Sequence, residues 1–297
     1  MKQVLILFPS WEERTHLGFK KYITKYNFEK IYTIEKVNSI NAEETMTSLA
    51  QIRSVCQSKK IEIEKIWLDD EPKQAFNSLK SFVENLDIDY KVFLDITTMP
   101  RNVIWSLLFF LKQNHKKINI IYCTPNEYSD EWISRDPSKP KLLLKHSGII
   151  DLELKNCLII VTGFDTDRIK QLIRYYEPQK VVLMVQKENN YKNNIKNNPT
   201  LHKNICEELG CANIEFLSID SYSSNLDYVT IENAIDKNLE NYNVILASLG
   251  PKISSISIYK AYIQHPEVAL SYIPCKEYNV NYCKGLGEIM EYVLDIP

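Results

Sequence analysis

The segment DITTMPR, from Asp95 to Arg101, places an acid, two hydroxyls, a proline and an arginine in one short stretch. It stands between YKVFL, which is typical of a buried strand, and NVIWSLLFFL, which is typical of a buried helix. A helix start offers free backbone N–H groups and a partial positive charge, which together bind anions. Arg101 adds a full positive charge at the helix end where the macrodipole disfavours it. The segment therefore indicates an anionic partner, either a ligand phosphate or a nearby carboxylate.

A second turn of this kind, ASLGPK, follows the strand-like run YNVIL in the other half of the chain. Ser248 and Lys252 lie in this turn, again between an apolar strand and an apolar helix. The carboxyl ends of strands in open α/β sheets form the crevice where ligands bind. We therefore expect Asp95, Arg101, Ser248 and Lys252 to belong to ligand sites.

Prolines predict where the two helices begin. Proline is favoured at the first helical position, so Pro100 and Pro251 each indicate a helix start. Met99 is a poor N-cap residue, so the hydroxyl of Thr97 or Thr98 is expected to help cap the first of these helices.

Two interpretations of the first turn stay open on the sequence alone. In one, Asp95 caps the turn and Arg101 pairs with Glu12, Glu13 or Asp95. In the other, the same groups contact a ligand, since clusters of charge occur for both reasons.

An aromatic residue, an acid and an arginine follow the first strand of each half. Glu12 and Arg14 come after VLILF, and Asp165 and Arg168 come after CLIIVTG. The acid either caps the helix start or joins the arginine in a ligand site. All four residues are therefore candidates for ligand binding.

Two tyrosines end the related segments YCTPNEY and YIPCKEY. Tyr128 and Tyr278 can stack on a nucleobase, as aromatic residues do in nucleotide sites. The alternative, which we favour, is that they close the edge of the sheet as partly buried side chains. His16 could act as an acid or base, but no histidine matches it in the second half, so no role is assigned to it.

Short apolar strands alternate with helical segments along the whole chain, which indicates parallel α/β sheets. The order of these segments recurs in the second half of the chain: CLIIVTG corresponds to VLILF, KVVLMVQ to KIYTIE, and EVALSYI to INIIYC. We predict two tandem Rossmann-like domains related by internal duplication, residues 1–152 and 153–297. Each is expected to hold a mainly parallel sheet of about five strands flanked by helices. The segment from Asn189 to Pro199 is expected to be a solvated loop.

Composition excludes several classes. The chain has 297 residues and a formal net charge of −2, which argues against a general polyanion binder. There is no GxGxxG, no P-loop and no zinc-like spacing among the seven cysteines, so neither a cofactor nor a metal is expected, and the thiols are interpreted as buried and free. No apolar run is long enough to span a membrane, and no signal peptide is recognisable, so a cytoplasmic location is expected.

The two-fold repeat, with Asp95-Ile96-Thr97 ahead of Arg101 and Ser248 ahead of Lys252, resembles the CARF and SAVED sensor domains of prokaryotic antiviral systems. Those are Rossmann-like domains whose fourth strand ends in an acidic or hydroxyl-bearing turn with a downstream Lys or Arg. The resemblance covers nearly the whole chain, although its motifs are short. The glycine-rich turn of many CARF domains is absent, as is an appended nuclease or HEPN domain.

This resemblance implies a nucleotide-binding sensor or regulatory subunit in bacterial antiviral defence or signalling, with a cyclic oligonucleotide as one candidate ligand. Arg101 and Lys252 would hold phosphates, and Tyr128 and Tyr278 would lie near bases. Contacts to ribose or to the ligand backbone would come from Asp95, Thr97, Thr98 and Ser248. The effector would be a separate partner protein chain, and, because CARF domains pair across a two-fold axis, a homodimer is a further candidate assembly.

Two other functions stay open. A nucleotide-processing enzyme could cleave a phosphodiester or N-glycosidic bond with Glu12 or Asp95 as acid or nucleophile. A protein-interaction scaffold could retain a decayed ligand site. Whether the chain is an enzyme is not decided by its sequence.

Overall fold

The computed structural model describes residues 2–187 and 197–296. The predicted loop therefore lies outside the described residues from Asn189 to Lys196. The chain divides into two compact units, one formed by Met1–Glu131 with Tyr278–Pro297 and the other by Trp132–Glu277.

Strands and helices alternate through most of both units. The strands are β1 (Gln3–Leu7), β2 (Phe28–Lys36), β3 (Glu62–Leu68), β4 (Lys91–Asp95), β5 (Lys117–Cys123), β6 (Glu127–Tyr128), β7 (Ser134–Pro137), β8 (Lys141–Leu142), β9 (Lys155–Val161), β10 (Lys180–Gln186), β11 (Asn213–Ile219), β12 (Tyr242–Ser248), β13 (Ala269–Tyr272), β14 (Cys275–Tyr278), β15 (Cys283–Lys284) and β16 (Ile289–Asp295). The helices are α1 (Glu13–Tyr22), α2 (Ala42–Lys59), α3 (Pro72–Glu84), α4 (Arg101–Leu111), α5 (Thr166–Tyr176), α6 (Pro199–Glu208), α7 (Tyr228–Leu239) and α8 (Ser254–Tyr262).

The sheet of the first unit has the strand order β16-β5-β4-β1-β2-β3. Five strands are parallel, and β16 adds an antiparallel strand along β5. The chain order reverses between β1 and β4, which makes their carboxyl ends the topological switch point. Leu7 pairs with Asp95 at this point, so the DITTMPR turn begins at the crevice of the Rossmann-like sheet.

Apolar side chains on both faces bury the central strands of the first sheet, as is usual for parallel sheets. On one face, Phe19 and Tyr22 of α1 and Ile52 of α2 pack against Leu5 and Phe93. Helix α4 is apolar on nearly all sides and is buried along most of its length. These layers hold the ends of β1 and β4 in fixed positions.

The second unit repeats the arrangement with the order β11-β10-β9-β12-β13-β8. Its first five strands are again parallel, and β8 is the antiparallel edge strand. Leu158, Leu183 and Ile245 of the sheet pack with Ile169 of α5 and Ile205 of α6. The expectation of two Rossmann-like units is therefore confirmed, with six strands in each sheet instead of about five.

The units do not follow a single cut in the sequence. β8 precedes the second unit's other sheet strands, whereas β16, at the end of the chain, completes the sheet of the first unit. The recurrence of one strand order agrees with an internal duplication. The boundary between residues 152 and 153 stays a prediction about the duplicated segments, because the compact units are divided at 131 and 277.

The cysteines are free in the described chain, and all but Cys211 are buried, which confirms the sequence interpretation of the thiols. Among the described residues, no helix has the length and apolar character needed to cross a bilayer.

Candidate functional site

The turn after β4 is closed by the carboxylate of Asp95. Its Oδ1 accepts a hydrogen bond from the backbone N–H of Thr97 at 2.9 Å, and its Oδ2 accepts one from the hydroxyl of Tyr22 at 2.6 Å. The hypothesis that Asp95 caps its own turn is therefore confirmed. Tyr22, at the end of α1, is a partner that no local pattern in the sequence indicates.

Burial dominates the electrostatics of Asp95. It raises the pKa of this carboxyl, while the hydrogen bonds from Thr97 and Tyr22 and the charge of Arg14 act to lower it. The net direction is upward, because a side chain only 4% exposed loses most of its hydration.

The two threonines after β4 join the ends of neighbouring strands. Thr98 donates its hydroxyl hydrogen to the carbonyl of Phe8 at 2.7 Å, and the Thr97 hydroxyl accepts from the N–H of Cys123 at 2.9 Å. The N-cap residue Pro100 has no capping side chain, and help from Thr97 or Thr98 in capping α4 stays a prediction. Both hydroxyls satisfy backbone groups at the ends of the neighbouring strands.

Arg101 is the first residue of α4, and Pro100 is its N-cap, one position before the predicted place. Pro100 has extended backbone angles, φ −58° and ψ 141°, and its carbonyl accepts from the N–H groups of Val103 and Ile104. Arg101 is 9% exposed, so a full positive charge is largely buried in the first turn of the helix.

Arg14 is buried in the first unit and bonds to groups of the same unit. Its guanidinium lies 2.7 Å from Glu12 Oε2, and its Nη1 donates to the carbonyl of Cys123 at 2.9 Å. The thiol of Cys283 also donates to Glu12 Oε2, at 3.3 Å. Burial opposes the charge of Arg14, but Glu12 and its other neighbours raise its pKa well above the ordinary value. Glu12 is the N-cap residue of α1, but its side chain does not cap the helix, contrary to the capping hypothesis.

Arg168 occupies the corresponding position in the second unit. Its Nε lies 2.9 Å from Asp165 Oδ2 and 3.0 Å from the Cys275 sulfur, and its Nη2 donates to Ser134 Oγ at 3.0 Å. Ser134 also hydrogen-bonds to Asp165, whose Oδ1 accepts from the backbone N–H of Arg168. Here the capping hypothesis for the acid is confirmed.

Each arginine therefore pairs with an acid from its own turn, and a cysteine from a short distant strand contacts each pair. Cys283 donates to Glu12 in the first unit, and the Cys275 sulfur accepts from Arg168 in the second. The contacts favour the structural interpretation of Glu12, Arg14, Asp165 and Arg168, and ligand contact by these residues stays a prediction. Local sequence patterns do not point to these cysteines or to Ser134, because they lie far along the chain from the arginines and a buried cysteine carries no periodic signal.

The turn after β12 differs from the predicted helix start. Helix α8 begins at Ser254, three residues beyond Pro251, so the prediction that Pro251 opens the helix is wrong. The Pro251 carbonyl accepts from the N–H and hydroxyl of Ser254, which forms a tight turn before the helix. Ser248 is buried at the strand end with its Oγ 2.8 Å from Ser254 Oγ, and Lys252 is half-buried in the turn.

Two glycines keep the switch point of the second sheet narrow. A Cβ atom on Gly163 would lie 2.0 Å from the carbonyl oxygen of Leu249, and one on Gly250 would lie 2.8 Å from that of Thr162. Only glycine allows the backbones after β9 and β12 to approach this closely. Side-chain bulk is thus excluded from the point where the strand order reverses.

Tyr128 and Tyr278 lie on short strands that belong to two-stranded sheets, separate from the two six-stranded sheets. Tyr128 in β6 pairs with Cys283 of β15 and stacks on Tyr282 with ring centroids 6.4 Å apart. Tyr278 ends β14, and its ring lies 5.7 Å from that of Trp11. Closure of a sheet edge by these tyrosines and contact with a base both stay predictions.

His16 is a weak candidate for acid–base chemistry. Burial, together with the charge of Lys20, lowers its pKa below the ordinary value. No group of three or more His, Cys, Asp or Glu side chains suited to a metal occurs among the residues that the structure describes.

Comparison with known proteins relates the chain to other proteins through its fold alone. No protein-family model matches it, and no curated protein matches its sequence. Among solved structures, it is similar to a type III CRISPR defence DNA nuclease activated by cyclic oligoadenylate, with a TM-score of 0.57 and 8% identity. That match covers 87% of this chain and 64% of the nuclease, so the chain spans less than two thirds of that protein.

Two further solved structures were found at lower similarity. One is an adenylation, ketoreductase and pseudo Asub multidomain structure of a keto acid-selecting NRPS module, with a TM-score of 0.23, 9% identity, and coverage of 83% of this chain and 26% of that chain. The other is a ketoreductase domain from the bacillaene assembly line, with a TM-score of 0.21, 12% identity, and coverage of 90% and 64%. The strand order makes the two units Rossmann-like α/β domains, and the nuclease that cyclic oligoadenylate activates has a similar fold.

Proposed function

We propose that this chain is a nucleotide-binding sensor or regulatory subunit of a bacterial defence or signalling system, with a cyclic oligonucleotide as ligand. The observation that carries the proposal is the position of Arg101. A buried guanidinium stands in the first turn of α4, beside the switch point of a Rossmann-like sheet.

An anion at this position has a physical basis. The dipole of α4 disfavours a cation in the first turn, and a buried cation also loses hydration. A ligand phosphate would offset both costs through charge-assisted hydrogen bonds to the guanidinium and to the N–H groups of the helix start. Phosphate binding at Arg101 is therefore the role that we assign to this residue.

The second unit supports the proposal less strongly. Lys252 is half-buried in the turn after β12, next to the close backbone approach at Gly163 and Gly250. However, α8 starts only at Ser254, so Lys252 precedes the helix and does not lie in its first turn. We propose a phosphate contact for Lys252 and a supporting role for the buried Ser248.

The choice of a cyclic oligonucleotide rests on the similarity of fold to a nuclease that cyclic oligoadenylate activates. Because the chain covers 64% of that protein, we propose that the effector activity lies on a separate chain or segment. Cytoplasmic location belongs to the same proposal.

Contacts of the two acids disfavour the enzymatic alternative. Asp95 engages one oxygen with Thr97 and the other with Tyr22, and Glu12 is paired with Arg14. A general acid or nucleophile needs a carboxyl group that can reach the substrate. These contacts leave neither acid well placed for that role.

The proposal is tested by denaturing purified protein and identifying any released nucleotide by mass spectrometry. Stripped protein is then titrated with cyclic tri-, tetra- and hexa-adenylate, linear oligoadenylate and cyclic dinucleotides, while its thermal stability and the integrity of each nucleotide are followed. We expect one cyclic class to bind and to stay intact.

Two variants sharpen the test. Arg101→Ala and Lys252→Ala should reduce binding, whereas Arg53→Ala, which removes an exposed cation paired with Glu35, should not. Protein that carries no nucleotide, and that gains no thermal stability from any member of the panel, would contradict the proposal. Cleavage of a bound nucleotide would instead support the enzyme.

A further inference from the structure

An apolar surface lies along the open edge of the second sheet. Five large aliphatic side chains between residues 142 and 152 are exposed: Leu142 by 37%, Leu144 by 46%, Ile149 by 74%, Ile150 by 63% and Leu152 by 94%. Single exposed aliphatic residues are ordinary, but a concentration of them in one short segment marks an interaction surface. We name these five residues the edge patch.

The backbone holds this segment firmly against β13. Lys141 pairs with Tyr272, and the N–H of Ile149 donates to the carbonyl of Glu267 at 2.8 Å. Gly148, with φ +68°, passes so close to the β13 side that a Cβ atom would lie 2.5 Å from that same carbonyl oxygen. The exposed side chains are therefore displayed by an ordered backbone.

Charges are separated along the edge patch. Lys141 and Lys145 are exposed at its beginning, and Asp151 and Glu153 are exposed at its end. None of these four side chains forms an ion pair within the part of the chain that the structure describes. β13 runs from Ala269 to Tyr272. The basic end of the patch therefore lies beside the carboxyl end of β13, and the acidic end of the patch lies beyond the amino end of β13.

β13 rises roughly 10 Å from Ala269 to Tyr272, at about 3.3 Å per residue. An apolar surface with a basic end and an acidic end is complementary to itself. Under a two-fold rotation, the basic end of one copy meets the acidic end of the other, and the apolar centres meet each other.

We propose that the edge patch is a two-fold interface with a second copy of this chain. The apolar centre supplies the burial, and the separated charges set the antiparallel orientation of the two segments. An interface centred on five side chains per copy is small, so the dimer should be reversible with a dissociation constant on the order of micromolar.

The first test measures the mass of the full chain by sedimentation velocity across a concentration series up to about 100 μM, well above a micromolar constant. Ile150→Ser/Leu152→Ser should weaken the dimer at least about tenfold, since exposed apolar area drives the association. The matched control is Val37→Ser/Ile88→Ser, which removes two comparably exposed aliphatic side chains, 62% and 65% exposed, from the first unit.

The second test uses charge reversal. Lys141→Glu/Lys145→Glu makes both ends of the patch acidic, and Asp151→Asn/Glu153→Lys makes the net charge of the patch basic. Asn at 151 keeps an acceptor for the N–H of residue 153, which Asp151 Oδ1 binds. Each variant alone should be monomeric, and an equimolar mixture should recover a dimer that contains one copy of each.

Three outcomes would overturn the proposal. The wild-type chain could be monomeric throughout the series, which would leave the patch to a different protein. A dimer could survive Ile150→Ser/Leu152→Ser, which would place its interface elsewhere. The mixed charge variants could fail to associate while each remains folded by circular dichroism, which would exclude the two-fold orientation.

Discussion

The hydroxyl of Tyr22 lies 2.6 Å from Oδ2 of Asp95, joining the last residue of α1 to the last residue of β4. Both side chains are almost fully buried. The bond fixes the carboxylate whose other oxygen shapes the DITT turn, so a residue at the far end of α1 helps to position the candidate phosphate site.

Replacement of this hydroxyl tests the link. Tyr22→Phe removes one donor from a buried carboxylate, and hydrogen bonds to charged groups contribute about 1.5–3 kcal/mol. We expect the free energy of unfolding, measured with urea, to fall by that amount. Tyr175→Phe, at an exposed position, should change it by less than about 0.5 kcal/mol. Equal effects of the two substitutions would show that the bond contributes nothing specific.

The Glu12–Arg14 pair is expected to be far more important for stability than a surface pair. Arg14→Met would leave the Glu12 carboxylate buried without its partner, which costs about 3–5 kcal/mol in comparable buried pairs. Lys2→Met breaks an exposed pair with Glu29 and should cost about 0–1 kcal/mol. Thermal and denaturant unfolding of both variants measures the difference, and a stable Arg14→Met protein would argue that the pair serves a ligand and not the fold.

We expect the free energy of unfolding to depend on pH because of His202. It is fully buried in the second unit, where its Nε2 lies 2.8 Å from Asn197 Oδ1. Burial lowers its pKa from 6.5 to about 4. The unfolded chain therefore takes up a proton between about pH 6.5 and 4 that the folded chain does not, and stability is lost as the pH falls through this window.

The loss from this one group amounts to about 3 kcal/mol between pH 7 and 4, at about 1.4 kcal/mol per pKa unit. His202→Gln, which can still hydrogen-bond to Asn197, should lack this component of the pH dependence. Urea unfolding at pH 7 and pH 4.5 compares the two proteins. The wild type must lose more stability than the variant, and parallel losses would contradict the prediction.

Arg101 is expected to control ligand affinity. Arg101→Gln keeps much of the side-chain length but removes the charge, and the loss of charge-assisted hydrogen bonds should weaken nucleotide binding about tenfold or more. The wild type should also lose more affinity than the variant when salt is raised, because screening acts on the guanidinium–phosphate attraction. Calorimetric titration at two salt concentrations measures both effects, and equal affinities would remove Arg101 from the site.

Several features of the fold could be predicted from the sequence, since they depend on local patterns. Apolar runs such as VLILF and YKVFL predict buried parallel strands, and their alternation with helical segments predicts the Rossmann-like units. The turn at Asp95 was also predictable, because an acid two residues before a free N–H readily forms such a turn.

Helix starts were predicted less accurately. Proline sets φ but does not by itself decide which residue begins the hydrogen-bonded ladder. At Pro100 the start shifts by one residue, whereas at Pro251 a tight turn stabilised by Ser254 delays the helix by three. The difference lies in side-chain hydrogen bonds that one sequence cannot rank.

The sequence by itself determined the strand runs, the repeat and the chemistry of the turns, because these follow from neighbours along the chain. Only the tertiary structure decided that Tyr22 holds Asp95, that Cys283 meets Glu12 across 271 residues, and that β16 returns to the first sheet. Such contacts depend on chain topology and carry no periodic signal. The sequence therefore does not distinguish acids and arginines that bind a ligand from those that form ion pairs inside the protein. In this structure the burial and hydrogen bonds of Glu12, Arg14 and Asp95 favour the interior. We keep Arg101 as the candidate for binding an anion because of its place in the first turn of α4.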